Sequence, residues 1–87
     1  MASGSVAITP FVNYGSYVDN LNTLFNSGCG YTNQAAGQPY TQNGMVMVFN
    51  AGAIVMQLFI PYQVSASNPA VYRVYVSGAW GAWTGLA

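Results

Sequence analysis

Apolar residues in the second half of the chain fall into three short blocks separated by turn residues, and each block has the length and the Val, Ile, Phe, Met and Tyr content of a β-strand. Met45 to Phe49 forms the first, Ala53 to Ile60 the second and Ala70 to Val76 the third. Asn50, Ala51 and Gly52 supply a hairpin turn between the first two. A loop with Ser65, Ser67, Asn68 and Pro69 separates the last two, and Ser77-Gly78 ends the third. Alternation sends Val71, Arg73 and Tyr75 to one face and Tyr72, Val74 and Val76 to the other. Both faces are then apolar. A sheet this small needs cover on both, from a helix on one side and another subunit on the other.

The first half reads less regularly. An extended segment over Val6 to Val12 precedes a helix of about two turns, marked by Leu21, Leu24 and Phe25 at helical spacing. Asp19 or Asn20 caps its start and Ser27-Gly28 stops it. Cys29 to Thr32 then makes a short strand, followed by a polar loop from Asn33 to Asn43 containing Gly37 and Pro39. The expected fold is mainly β, a small α+β domain: an antiparallel sheet of about four strands with one short N-terminal helix packed on it. Met1 to Ser5 reads as a tag remnant or flexible lead, which would make the chain a piece of a longer protein, and 6–87 as a single domain. The first residues lack the basic region and apolar core of a signal peptide.

The run from Gly44 to Tyr62 is long and uncharged enough to suggest a membrane span. Against that, the Asn-Ala-Gly turn sits in its middle, Gln57 interrupts its second part, Pro61 follows, and no Lys or Arg flanks it. The hairpin reading is the stronger, and membrane insertion is not expected.

Charge narrows the functional classes sharply. Asp19 and Arg73 are the only charged side chains among 87 residues, and Lys, Glu and His are absent. A Ser-His-Asp or Cys-His arrangement needs a histidine, and a glycosidase pair needs two acids. Catalysis is therefore not expected, nor a cofactor, nor a metal site built from Cys, His and carboxylates. Nucleic-acid binding draws on several Lys or Arg residues, and Arg73 stands alone. A neutral chain has little colloidal repulsion, which favours association with itself. Cys29, the single cysteine, forms no internal disulfide and reads as a small buried apolar residue.

The order of features resembles a known module. Leu21 to Leu24 (Leu-Asn-Thr-Leu), Gly30 with Tyr31, Gln57 to Tyr62 (Gln-Leu-Phe-Ile-Pro-Tyr), Arg73 and the closing Trp80 to Trp83 pattern together are similar to the knob domain of R-type pyocin tail fibres, also found in many phage tail fibres. The chain departs from that pattern in three places. Asn20 stands where members often have Asp, Val71 where they have Tyr, and Thr84 where they have a charged residue. The resemblance implies a β-rich homotrimer on the tail fibre of a virion, facing the bacterial surface and attaching to a surface polysaccharide without catalysis. The alternatives are a purely structural virion module, such as a spacer, trimerisation or capsid-decoration domain, and a small membrane protein.

Several residues carry two readings. Trp80 and Trp83 could stack on a sugar, but closing a core or an interface ranks ahead of that. Tyr40, Gln42 and Asn43 in the first polar loop, with Gln63, Ser65, Ser67 and Asn68 in the second, are the ligand candidates, because loops carry recognition. Asp19 and Arg73 are expected to be structural. Asp19 caps the helix or, less favoured, pairs with Arg73, while Arg73 could hold a cation–π contact with Tyr72 or Tyr75.

Overall fold

The computed structural model describes residues 11–14 and 17–86. The lead Met1 to Ser5 and most of the extended segment Val6 to Val12 lie outside the described residues. Eight strands and one 3-10 turn follow in the order β1 (Val12–Asn13), β2 (Val18–Asn20), η1 (Leu21–Thr23), β3 (Gly28–Ala36), β4 (Gly44–Asn50), β5 (Val55–Pro61), β6 (Val71–Val76), β7 (Ala79–Trp80) and β8 (Thr84–Gly85). Strands β3 to β6 form an antiparallel meander in chain order, as the apolar blocks predict.

The sheet as a whole is mixed, which corrects the antiparallel expectation. Both β1 and β2 pair parallel to β3, with Val12 opposite Gly28 and Val18 opposite Thr32. At the other edge β7 and β8 each pair with β6. Each edge is thus closed by short pieces of chain rather than by one long open strand, which limits unintended edge pairing.

The turn chemistry follows the sequence. The Gly52 amide donates to Asn50 Oδ1 at 2.7 Å, and Gly52 adopts φ 91°, a conformation that glycine tolerates. Ser77 and Gly78, with φ 55° and 84°, make the two-residue turn that matches the twist of a hairpin.

The N-terminal helix is absent and the expectation is corrected. The segment makes one 3-10 turn, Leu21–Thr23, closed by the Leu24 amide on the Leu21 carbonyl at 3.3 Å. Asn20, not Asp19, is its cap, with Oδ1 accepting from the Asn22 amide at 2.9 Å. Asn20 offers the backbone a local hydrogen bond that competes with an α-helix, and the Asn22 side chain is taken by Arg73, so the chain turns once and passes on. Leu21 is nonetheless fully buried, and a side chain of that size contributes about 1.5–3 kcal/mol on burial.

Strand β3 runs to Ala36, four residues past its expected end at Thr32. Its polar continuation is held by β2 on one side and by the following loop on the other: Asn43 Oδ1 accepts from the Gln34 amide at 2.7 Å. Gln34, at φ 56°, lies where the β2–β3 register shifts.

One sheet face is covered by β2, η1, the 37–43 loop and the C-terminal residues 80–85. Val18, Leu21, Ala35, Val46, Val48, Val55, Phe59 and Val71 make the core there, with Tyr14, Leu24, Phe25, Tyr40, Tyr75, Trp80 and Trp83 packed around it. The opposite face carries the alternate residues of the same strands, Met45, Met47 and Phe49 on β4 and Met56, Leu58 and Ile60 on β5, all half-buried or exposed.

Candidate functional site

The molecule's one cation lies inside. Arg73 is 6% exposed and sits directly across from Gln57, itself 0% exposed, in the β5–β6 register. Its Nε donates to Gln57 Oε1 at 2.9 Å and its Nη2 to Asn22 Oδ1 at 3.1 Å. The guanidinium carbon lies 4.3 Å from the Trp80 ring centroid and 4.6 Å from that of Trp83. Gln57 Nε2 in turn donates to the Leu21 and Leu24 carbonyls at 2.7 and 3.0 Å, which ties η1 to the sheet.

Among the described residues no carboxylate takes part. Burial lowers the Arg73 pKa to about 10, and the group stays charged at neutral pH. Desolvating a cation costs several kcal/mol. Two cation–π contacts at about 1–2 kcal/mol each when dehydrated, with two charge-assisted hydrogen bonds at about 1.5–3 kcal/mol each, are of the size that offsets it. Asp19 lies in β2 with an exposed side chain and is not a partner of Arg73. The stacking partners are likewise Trp80 and Trp83 rather than Tyr72 or Tyr75.

Both tryptophans are engaged internally. Trp80 Nε1 donates to the Asn22 carbonyl at 3.0 Å, and its ring stacks on Phe25 with centroids 5.7 Å apart and planes at 4°. Trp83 Nε1 donates to the Gly37 carbonyl at 2.9 Å, and its ring meets Phe59 edge to face at 6.2 Å. Both N–H groups are bonded within the fold and both rings contact Arg73, so each indole has a structural role.

The first polar loop is likewise held by its own hydrogen bonds. Tyr40 donates its hydroxyl to the Pro69 carbonyl at 2.9 Å and packs edge to face on Phe59. Gln42 Oε1 accepts from the Gln63 amide at 3.2 Å. Asn43 Oδ1 accepts from both the Gln34 amide and Gln34 Nε2, and the Asn43 carbonyl accepts from the Tyr62 amide at 3.1 Å. These three residues join the 37–43 loop to β3 and to the second loop.

The second loop is different. Residues 62–67 are exposed and Asn68 is half-buried, and Tyr62 is 65% exposed. Ser65 and Asn68 fold it back on itself: the Ser65 amide donates to the Asn68 carbonyl and the Asn68 amide to Ser65 Oγ, both at 3.1 Å, with Ser67 Oγ 3.3 Å from Ser65 Oγ. The side-chain amides of Gln63 and Asn68 make no hydrogen bond among the described residues. Beside Tyr62 a shallow groove of about 540 Å³ is lined by Asn13, Cys29, Gly30, Tyr31, Met45 and Tyr62, mostly through apolar atoms.

The structure therefore divides the predicted site residues into two groups. Tyr40, Gln42, Asn43, Trp80 and Trp83 hold the fold together, while Gln63 and Asn68 remain available. Sequence reading overlooked Gln57 as the partner of Arg73 and weighed it only as an interruption in an apolar run. A lone amide at an inward strand position, facing the only Arg, was the available signal. Among the described residues no helix is long and apolar enough to cross a membrane, and the segment Gly44 to Tyr62 is the β4–β5 hairpin followed by the start of a loop. No family model, curated protein or solved structure matches the chain.

Proposed function

We propose that this chain is a non-catalytic attachment module of a phage or phage-like tail fibre, working as a homotrimer on the virion and touching a bacterial surface polysaccharide through the neutral 62–68 loop. The observation that carries this reading is the exposed Tyr62 ring in the same loop as the Gln63 and Asn68 side-chain amides, which make no hydrogen bond among the described residues. An aromatic face and amide donors and acceptors suit a sugar's apolar face and hydroxyls. Each contact is weak. Three copies on one fibre raise the apparent affinity without any new contact. The resemblance of the Leu21 to Trp83 pattern to tail-fibre knobs supports the same assignment.

A purely structural module is the second reading. It is favoured by the way Tyr40, Gln42, Asn43, Trp80 and Trp83 all bond inward. Binding of labelled protein to whole bacteria and to their purified surface polysaccharides separates the two. The attachment reading expects saturable binding that falls at least about tenfold when Tyr62, Gln63 and Asn68 are all replaced by Ala. Binding that survives the triple substitution removes the loop from the mechanism. Absence of saturable binding to every strain and polysaccharide tried leaves the structural role.

A further inference from the structure

Among the described residues the face of the sheet turned away from Arg73 has no covering layer. On it Phe11, Tyr31, Met45, Phe49 and Val76 are 41–49% exposed. Side chains of this size present about 200 Å² when free, so these five alone leave about 400 Å² open, as much as the largest patch of a typical monomer. The half-buried Met47, Met56, Leu58, Ile60, Tyr72 and Val74 lie between them on β4, β5 and β6. Together they bring the surface toward the ~800 Å² that each partner buries in a standard interface.

We propose that this face packs against the corresponding face of a second copy of the chain. Chemistry limits the partner. Arg73 is on the covered face and Asp19 is on β2, outside the β4, β5 and β6 strands that carry most of these side chains, so no charge stands among them to attract a charged partner or to repel a copy of itself. Two such sheets meet without burying an unpaired ion, and the side chains of facing sheets interdigitate at a spacing of about 10 Å. The self-association in the proposed function rests on resemblance. Like face on like face closes as a twofold pair, so the mass expected from this interface is that of a dimer rather than of the trimer that the resemblance implies, and the interface holds or fails independently of glycan binding.

The test is the molar mass of the intact chain in solution, by light scattering and sedimentation, for the parent and for a Met56→Glu/Leu58→Glu double variant. Both replaced side chains are part-exposed in the single chain, so the variant should keep its circular dichroism while dropping from an oligomer to a monomer. A Gln63→Glu/Asn68→Asp control in the polar loop should keep the parent's mass. A monomeric parent overturns the proposal, and so does an oligomer whose mass the two glutamates leave unchanged. If the variant does not fold, Cys29 decides, since it is half-buried on the same face. Protection of its thiol from a bulky maleimide in the native oligomer is expected, with exposure on dilution to monomer. Rapid, complete modification that leaves the mass unaltered refutes the interface. An oligomer lacking glycan binding leaves the interface standing and removes only the attachment reading.

Discussion

The two faces of the sheet are built from alternate residues of the same strands and could hardly differ more. One holds an arginine, a glutamine and two tryptophans in a hydrogen-bonded cluster tied to the 3-10 turn and to the Gly37 carbonyl. The other holds Met, Leu, Ile, Val and Phe side chains that no layer of the described residues covers. The usual arrangement is reversed, since the only cation is enclosed and much of the apolar surface is open. The difference teaches where each face finds its stability. Arg73 and Gln57 are satisfied by geometry within one chain, whereas the bare face gains only when something else covers it.

Adjacent residues on β6 give the largest test of that contrast. Arg73→Ala removes the guanidinium from between two indoles and strands Gln57 Oε1, and should lower the stability of the fold by about 3–5 kcal/mol in urea melts. Val74→Ala, one position along and pointing the other way, should lower it by about 1 kcal/mol or less at concentrations where the chain is monomeric. Equal losses would erase the distinction between the faces.

Tyr14 sharpens it next, at the edge of the covered face. Its hydroxyl donates to the Asn26 carbonyl, and burial, followed by the neighbouring Cys29 thiol, raises its pKa above the ordinary 10.0. Tyr14→Phe should lower stability by about 1 kcal/mol at neutral pH through that hydrogen bond. Above pH 10 the unfolded phenol ionises first while the folded one keeps its proton. The folded state then binds more protons, so the stability that Tyr14 contributes is lost as the pH rises through its folded pKa. Melts of parent and variant taken from pH 8 upward should therefore converge above pH 10. A gap that stays constant would show that the phenol is not held in its neutral form.

The smallest effect is expected at the second charge. Asp19 is exposed, lies in β2 and caps nothing, so Asp19→Asn should move the midpoint by less than about 0.5 kcal/mol. A larger loss would mean that it serves Arg73 after all.

The meander was legible because β4, β5 and β6 are apolar blocks of strand length bounded by Asn-Ala-Gly and Ser-Gly turns, signals that are local in sequence. The misread helix rests on Leu21, Leu24 and Phe25, of which only Leu21 lies in the observed turn. A spacing of three fits a 3-10 turn as well as an α-helix, and the hydrogen bonds of Asn20 and Asn22 tip the balance locally. The parallel pairing of β1 and β2 was not legible, since both strands are two or three residues long and acquire their partners only once β3 is in place. Arg73 could be recognised as structural from its strand position. Its partners could not, because Asn22 is 51 residues away in sequence. Tyr40, Gln42 and Asn43 looked like free loop residues for the same reason. A polar side chain in a loop carries no sequence mark of whether its hydrogen bond will be made within the fold or with solvent.

The placement of sulfur on the bare face has a further consequence. Met45, Met47, Met56 and Cys29 account for every sulfur atom among the described residues, and all stand on or beside that face. Oxidation to the sulfoxide turns a methionine from an apolar into a polar side chain. A mild oxidant should therefore dissolve contacts between copies while the core beneath, which contains no sulfur, remains folded. Whatever covers the bare face also keeps its sulfur atoms out of reach of dissolved oxidant.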